Sequence, residues 1–177
     1  ACQYEGVTPD ILVTGKGLTS GYVPGSAVLC RKDIGEAMSK ISLHGHTHSC
    51  YPMTCRSALK NLEIIERENL VENSREVGEY LHEKLLGLME KYDVIRDVRG
   101  RGLLQGMEIE GSPNADKYVL GQEFYETMLR NGLITELESR KNLENVVVVM
   151  HPALITSREN VDEAVEIIDK SLAACLK

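Results

Sequence analysis

Residues 9–22 read Pro9-Asp10-Ile11-Leu12-Val13-Thr14-Gly15-Lys16-Gly17-Leu18-Thr19-Ser20-Gly21-Tyr22. Ile11, Leu12 and Val13 form a short apolar run, bounded by a Pro-Asp pair on one side and glycines on the other. That pattern predicts a buried strand running into a tight turn. Lys16 stands at the end of the strand between two glycines. An amine in that place can be desolvated, which lowers its pKa, and glycine neighbours let backbone and ligand approach closely. A lysine that forms a Schiff base needs these conditions, because only the neutral amine attacks a carbonyl. A solvated Gly-Lys-Gly connector has the same sequence, so this stretch alone leaves both readings open.

Working outward, Pro24-Gly25-Ser26-Ala27-Val28-Leu29-Cys30 predicts a second buried strand, and a helical pattern starts at Pro52 after the loop Gly45-His46-Thr47-His48-Ser49. This order of elements resembles the class III (ω-amino acid) aminotransferases, pyridoxal-phosphate enzymes of fold type I. The matching motifs are Thr14-Gly15-Lys16-Gly17-Leu18, Gly45-His46-Thr47-His48-Ser49-Cys50-Tyr51-Pro52 and Asp97-Val98-Arg99-Gly100-Arg101-Gly102-Leu103-Leu104, and the resemblance runs from about residue 7 to the C-terminus. It implies an α/β fold class, the C-terminal part of a fold type I transferase: the end of a large pyridoxal-phosphate-binding domain over residues 1–69, then a small α+β domain over 70–177. It also implies a ping-pong transfer of an amino group from an amine or amino acid to a 2-oxo acid or aldehyde. Lys16 would be the Schiff-base lysine and acid/base catalyst. Whole members of the family are much longer, so the resemblance also implies a missing N-terminal portion.

The rest of the chain supports that division. Asp33 to Met38 predicts a short helix capped by Asp33, and residues 39–50 a polar loop. From Pro52, which suits a first helical turn, Cys55, Ala58, Leu62 and Ile65 recur at helical spacing. A second helix from about Leu70 to Lys91 carries Val77, Leu81, Leu85 and Leu88 on one face. Gly78 inside it predicts a close packing contact, since glycine there otherwise costs up to about 1 kcal/mol against alanine. Val94–Val98 and Leu103–Ile109 read as strands about the turn Arg99-Gly100-Arg101-Gly102. A loop over 111–116 leads to a helix from Tyr118 to Arg130, stopped by Asn131-Gly132. Leu133–Thr135 and the wholly apolar Val146–Met150 read as strands, the second one central. Thr156-Ser157-Arg158-Glu159 reads as a capping box opening a last helix, with Val161, Val165, Ile168 and Leu172 on its buried face. The order β-β-α-β-β-α makes one α+β unit.

Composition sets bounds on function. With 177 residues, 42% of them hydrophobic and 27% charged, the chain has the make-up of a globular protein able to bury a core. The net charge of −7 argues against nucleic acid as a partner. No apolar run approaches the roughly 18 residues of a membrane-spanning helix, and no basic segment followed by an apolar stretch reads as a leader. The five cysteines, Cys2, Cys30, Cys50, Cys55 and Cys175, have no repeating spacing and no CxxC pair. They read as reduced thiols of a cytoplasmic protein.

Residue types narrow the site further. Thr47, between His46 and His48, reads either as a loop threonine capping a turn or, through the resemblance, as a phosphate ligand. In the family, the matching threonine and the residue before it, here His46, bind the cofactor phosphate of the neighbouring subunit, which implies a homodimer with shared active sites. His44, His46 and His48 alternate as metal ligands on one strand face would. Without a further ligand cluster they read instead as a surface loop, and no metal is assigned. Arg99 and Arg101 suit a carboxylate clamp by chemistry, but such a Gly-flanked turn more often just joins two strands with both guanidinium groups in water, and neither is assigned to the site.

Two departures bear on activity. Members acting on α-amino acids often carry an arginine shortly before a Pro-Pro-Leu stretch; here Val149 aligns with it in Val148-Val149-Met150-His151-Pro152-Ala153-Leu154, so the usual α-carboxylate clamp is not assumed. The family's aspartate that pairs with the pyridine nitrogen, its phosphate cup and its ring stacker all lie upstream of residue 1, and so this portion is expected to be weakly active or inactive by itself. The rival readings are a non-catalytic assembly or scaffold domain of the same fold, and an aminomutase, racemase or decarboxylase using the same cofactor.

Overall fold

Of the 177 residues, the computed structural model describes 2, 4–41, 45–111, 116–140 and 145–176. They fall into two units, Ala1–Glu68 and Asn69–Lys177.

In the first unit, strand β1 (Ile11–Gly15) pairs antiparallel with β2 (Ser26–Cys30), Leu12 facing Leu29 and Val13 facing Val28. Both strands were expected to be buried, and they are not: Val13 is 69% and Val28 68% exposed. The reason is geometric. A two-stranded ribbon has two faces, and on this one Leu12 and Leu29 are exposed as well as Val13 and Val28. Helix α1 (Lys32–Ile41) starts earlier and ends later than predicted. Asp33 lies in its first turn rather than at its cap, held by Arg31, whose Nη2 donates to Asp33 Oδ2 at 2.7 Å while Nη1 reaches Asp10 Oδ1 at 2.6 Å. Helix α2 (Pro52–Arg67) begins on Pro52 as predicted. The expected stripe holds in part: Ala58 and Ile65 are partly buried but Cys55 and Leu62 are exposed, and Thr54, Ser57, Asn61 and Ile64 are partly buried as well.

The second unit is one layer of helices on one sheet. Helix α3 (Leu70–Lys91) has the predicted bounds and buries Val77, Leu81, Leu85 and Leu88. Strands β3 (Ile95–Arg101) and β4 (Leu104–Ile109) form a hairpin, with Arg101 opposite Leu104 across a turn at Gly102-Leu103. Helix α4 (Lys117–Arg130) is capped by Asp116, whose side chain accepts from the Tyr118 amide. The strand expected at Leu133–Thr135 forms later, as β5 (Glu136–Arg140), because those residues are the ones that pair with β6 (Asn145–Met150), Glu136 opposite Val149. The sheet order is β3-β4-β6-β5, antiparallel throughout, so apolar β6 is interior as predicted. Helix α5 (Arg158–Cys175) is capped by Ser157 with Asn160, one residue later than the Thr156–Glu159 pairing that the sequence suggested. Ser157 accepts from the Asn160 amide, and Asn160 Oδ1 accepts from the Ser157 amide at 3.2 Å. The core is apolar: Leu85, Met107, Phe124, Met128, Val146, Val148, Ile168 and Leu172 are fully enclosed.

Two polar features organise this unit. Gln105, 2% exposed, accepts from His82 Nδ1 at 3.0 Å and donates to the Gly102 carbonyl at 2.7 Å, so its amide is satisfied where water cannot reach. Arg99 is not the free guanidinium that its turn suggested. It pairs with Asp97 and donates to Glu108 Oε2 at 2.8 Å, and Glu108 is only 8% exposed. A carboxylate that buried requires such a partner.

Gly78 meets the close contact that was predicted for it. A Cβ there would stand 2.1 Å from the carbonyl carbon of Gly102, which itself has φ +54. Gly78→Ala must therefore push α3 off the β3–β4 turn, and a loss of about 1–3 kcal/mol or more is expected in urea unfolding. Gly87→Ala, on the same helix with nothing within 4 Å of the added carbon, should instead raise stability by about 0.5–1 kcal/mol. Equal effects at both positions would contradict the packing described.

Helices α3 and α5 are clamped by two similar clusters. Tyr80 donates to Asp162 Oδ1 at 2.7 Å beside Lys84 at 2.9 Å; Tyr92 donates to Asp169 Oδ1 at 2.6 Å beside Lys91, also at 2.6 Å. The hydrogen bond from Lys91, and then that from Tyr92, lowers the pKa of Asp169, while the Asp169 partner raises that of Lys91. A depressed carboxylate adds stability that is present above its unfolded pKa of about 3.9 and is lost as pH falls through the folded value. A raised ammonium adds stability present below its unfolded pKa of about 10.4 and lost as pH rises through the folded value. The Lys91–Asp169 pair is thus at full strength between about pH 4 and 10. Asp169→Asn should flatten the acid limb of a stability-versus-pH curve below about pH 4. An unchanged limb would show that the pair contributes nothing to the linkage.

Candidate functional site

The turn after β1 is a short 3-10 segment, Lys16–Thr19. Lys16 has φ +47 and Ser20 φ +52, so two residues with side chains occupy the left-handed region within five positions. Each such residue costs of order 1 kcal/mol and persists only where its surroundings impose it. The surroundings here are hydrogen bonds to carbonyl oxygens. Thr19, 1% exposed, donates from Oγ1 to the Val23 carbonyl at 2.6 Å. From α2, Asn61 Nδ2 donates to the carbonyls of Gly17 at 2.9 Å and Leu18 at 3.1 Å, Ser57 Oγ to that of Thr19 at 3.1 Å, and Thr54 Oγ1 to that of Pro24 at 3.0 Å. A Cβ on Gly25 would stand 2.3 Å from the Thr54 methyl carbon, so helix and loop touch without a gap.

On this frame the Lys16 side chain is exposed and forms no hydrogen bond or ion pair with a described residue. The desolvation expected of it is not supplied by this unit. What the unit supplies is a fixed backbone and open space, since nothing lies within 4 Å of where a Cβ on Gly17 would be. A group bonded to Nζ would find room there.

His46 and Thr47 belong to a reverse turn leading into α2. Ser49 closes it, its amide donating to the His46 carbonyl at 2.9 Å and its Oγ accepting from the His46 amide at 3.1 Å. Both His46 and Thr47 are exposed. His48 meets Tyr51 edge-on, ring centroids 6.3 Å apart, and Cys50 takes φ +56 just before the helix. The loop runs into the N-terminus of a 16-residue helix, the positive end of its dipole. His44, the first histidine of the alternating run, lies outside the described residues. Among the described residues no three His, Cys, Asp or Glu side chains converge as metal ligands, all five cysteines are free, and no helix is long and apolar enough to cross a membrane.

Thr54, Ser57 and Asn61 escaped the reading of the sequence, which took the apolar positions of α2 as its buried face. The signal was there in their chemistry. They are short, uncharged and poor helix formers, set on one stripe, while Arg56, Lys60, Glu63, Glu66 and Arg67 occupy the others.

A primary amine on a braced turn, with open space beside it, can attack a carbonyl carbon once it is neutral; a hydroxyl and an imidazole in the loop before a helix can hold an anion. The sequence pattern of the family described as Aminotransferase class-III matches residues 1–172. Mitochondrial ornithine aminotransferase of Rattus norvegicus is 34% identical over 172 residues, 97% of this chain and 36% of that protein. The (R)-1-hydroxy-2-aminoethylphosphonate ammonia-lyase of Vibrio splendidus is likewise 34% identical, over 97% of this chain and 35% of its own length. The crystal structure of an amine transaminase from an uncultivated Pseudomonas species, in its PLP-bound (internal aldimine) form, superposes with a TM-score of 0.84 at 29% identity, covering 98% of this chain and 40% of that one. The chain thus spans 35–40% of the length of these relatives. With the family pattern matched over nearly all of its residues, it belongs to the class III aminotransferases.

Proposed function

We propose that this chain is the C-terminal portion of a pyridoxal-phosphate-dependent aminotransferase, the unit Ala1–Glu68 closing the large cofactor domain and the unit Asn69–Lys177 forming the small domain. The observation that carries the reading is the exposed Lys16 amine on a turn braced by α2, within a chain matched to the class III family from residue 1 to 172. The open faces of β1 and β2 support it too, for apolar strands exposed on both sides suit the interior of a larger sheet.

The chemistry such a cofactor supplies when bound is an electron sink for charge developing at the substrate carbon. Lys16 is the residue that holds it. Its Nζ would hold the cofactor at the aldehyde carbon and, when free, would move a proton at the substrate carbon. The partners are then a small-molecule amino donor and an oxo acceptor, processed in two half-reactions. His46 and Thr47 hold the phosphate of the neighbouring subunit's cofactor, which makes the protein a homodimer with shared sites. Their exposure before the N-terminus of α2 supports that role. A partner acid for the pyridine nitrogen and a phosphate cup would come from the length that the relatives have and this chain does not span, so the chain by itself is weakly active or inactive. Its five free thiols support a cytoplasmic location.

A second reading has one observation behind it. A relative of equal identity is an ammonia-lyase, so the same lysine serves equally in an elimination, where the nitrogen leaves as ammonia instead of passing to an acceptor.

Full-length protein titrated with pyridoxal phosphate should become yellow, and Lys16→Ala should abolish the visible band. A colourless wild type, or an unchanged band in the variant, overturns the assignment of Lys16. A threonine hydroxyl on a phosphate dianion contributes roughly 1.5–3 kcal/mol, so Thr47→Ala should weaken cofactor affinity about ten- to hundredfold. Thr47→Ser should lose far less, since the donor remains; equal losses in the two variants would remove the phosphate role.

A further inference from the structure

Asn61, Ser57 and Thr54 have no part in the chemistry above, yet they are what the Lys16 turn is fastened to. Spaced at i, i+3 and i+7, they lie on one stripe of α2. Between them they donate to the carbonyls of Gly17, Leu18, Thr19 and Pro24. Within the turn the Gly17 and Thr19 carbonyls also accept from the amides of Ser20 and Tyr22, so α2 adds a second donor to each. Here a single amide, Asn61 Nδ2, serves two successive carbonyls.

We infer that Asn61 is the positioning residue for Lys16, with Ser57 and Thr54 as auxiliaries. The inference rests on the reading of Lys16 as the cofactor-bonding amine. The side chain of Lys16 has no hydrogen bond or ion pair with a described residue, so the backbone, which fixes where its Cα–Cβ bond points, is what orients it. That backbone is in the left-handed region at φ +47, which lysine leaves readily unless held. The first two carbonyls after Lys16 are the two that Asn61 holds. Remove that amide, and the turn is free to relax toward φ values that point Nζ elsewhere.

The test compares Asn61→Leu, which keeps the size and loses the donors, with Asn61→Gln, which keeps the donors, in full-length protein. Two hydrogen bonds of ordinary net strength correspond to roughly a tenfold change in the population of the ordered turn. Amide hydrogen exchange without cofactor should therefore quicken about tenfold in Asn61→Leu at Ser20 and Tyr22, whose amides close the turn onto Gly17 and Thr19. With pyridoxal phosphate added, the pH at which the Lys16-dependent visible band changes should move by about 0.5 unit or more. Asn61→Gln should recover most of both effects. Ser57→Ala removes a single hydroxyl at little cost in packing; it should shift both readouts the same way by a smaller amount, and it keeps the test readable if Asn61→Leu does not fold. A mere loss of stability would lower the amount of folded protein without moving that pH. A Lys16-dependent band that keeps its pH profile in Asn61→Leu and Ser57→Ala overturns the positioning role alone. A wild type with no Lys16-dependent band overturns the cofactor reading, and this inference with it.

Discussion

Backbone carbonyls that bend away from regular structure need donors, and in this chain the donors come from a neighbouring helix. Four oxygens between Gly17 and Pro24 are met by Thr54, Ser57 and Asn61. Together with the Ser20 and Tyr22 amides they offset the cost of holding Lys16 and Ser20 at positive φ, a cost of the same order as one net hydrogen bond. The same contacts define the first unit. Its two strands bury little against each other or anything else, so polar anchoring to α2 does the work that an apolar core does elsewhere.

The second unit is built on the opposite balance. Its sheet and three helices enclose a continuous apolar core from Val77 to Leu172, and polar groups enter only where each finds a partner, as Gln105 does between His82 and Gly102. Close approach of backbones replaces side-chain packing at one point, where Gly78 lies against Gly102. There α3 approaches the β3–β4 turn closely enough to exclude even a methyl group.

Much of this was legible from residue order. Period and punctuation marked α3, α4, α5 and the central place of β6, because each carries an apolar stripe or run longer than chance and ends at a glycine, an asparagine or a cap. The lysine turn was legible as a motif, through Thr14-Gly15-Lys16-Gly17-Leu18 and its distance from the His46-Thr47 loop. Pattern failed where burial depended on something not encoded locally. Ile11–Val13 and Val28-Leu29 read as buried since apolar β-branched residues usually are; among the described residues nothing covers them. The capping box slipped by one residue because Thr156 and Ser157 are equally good caps, and only the path of the chain selects Ser157. Arg99 read as a solvated turn residue because its partner, Glu108, is nine residues away on the facing strand. The α2 stripe was missed for a deeper reason: hydropathy counts Thr, Ser and Asn as outward-facing, whereas a helix that holds a loop needs donors on its inner face.

The central claim is that the braced turn presents one particular amine to the cofactor. Borohydride reduction of full-length protein loaded with pyridoxal phosphate, followed by peptide mapping, tests it directly. The account predicts a single pyridoxyl group, on Lys16. A group on any other lysine, or one spread over several exposed lysines with no excess at Lys16, would contradict it.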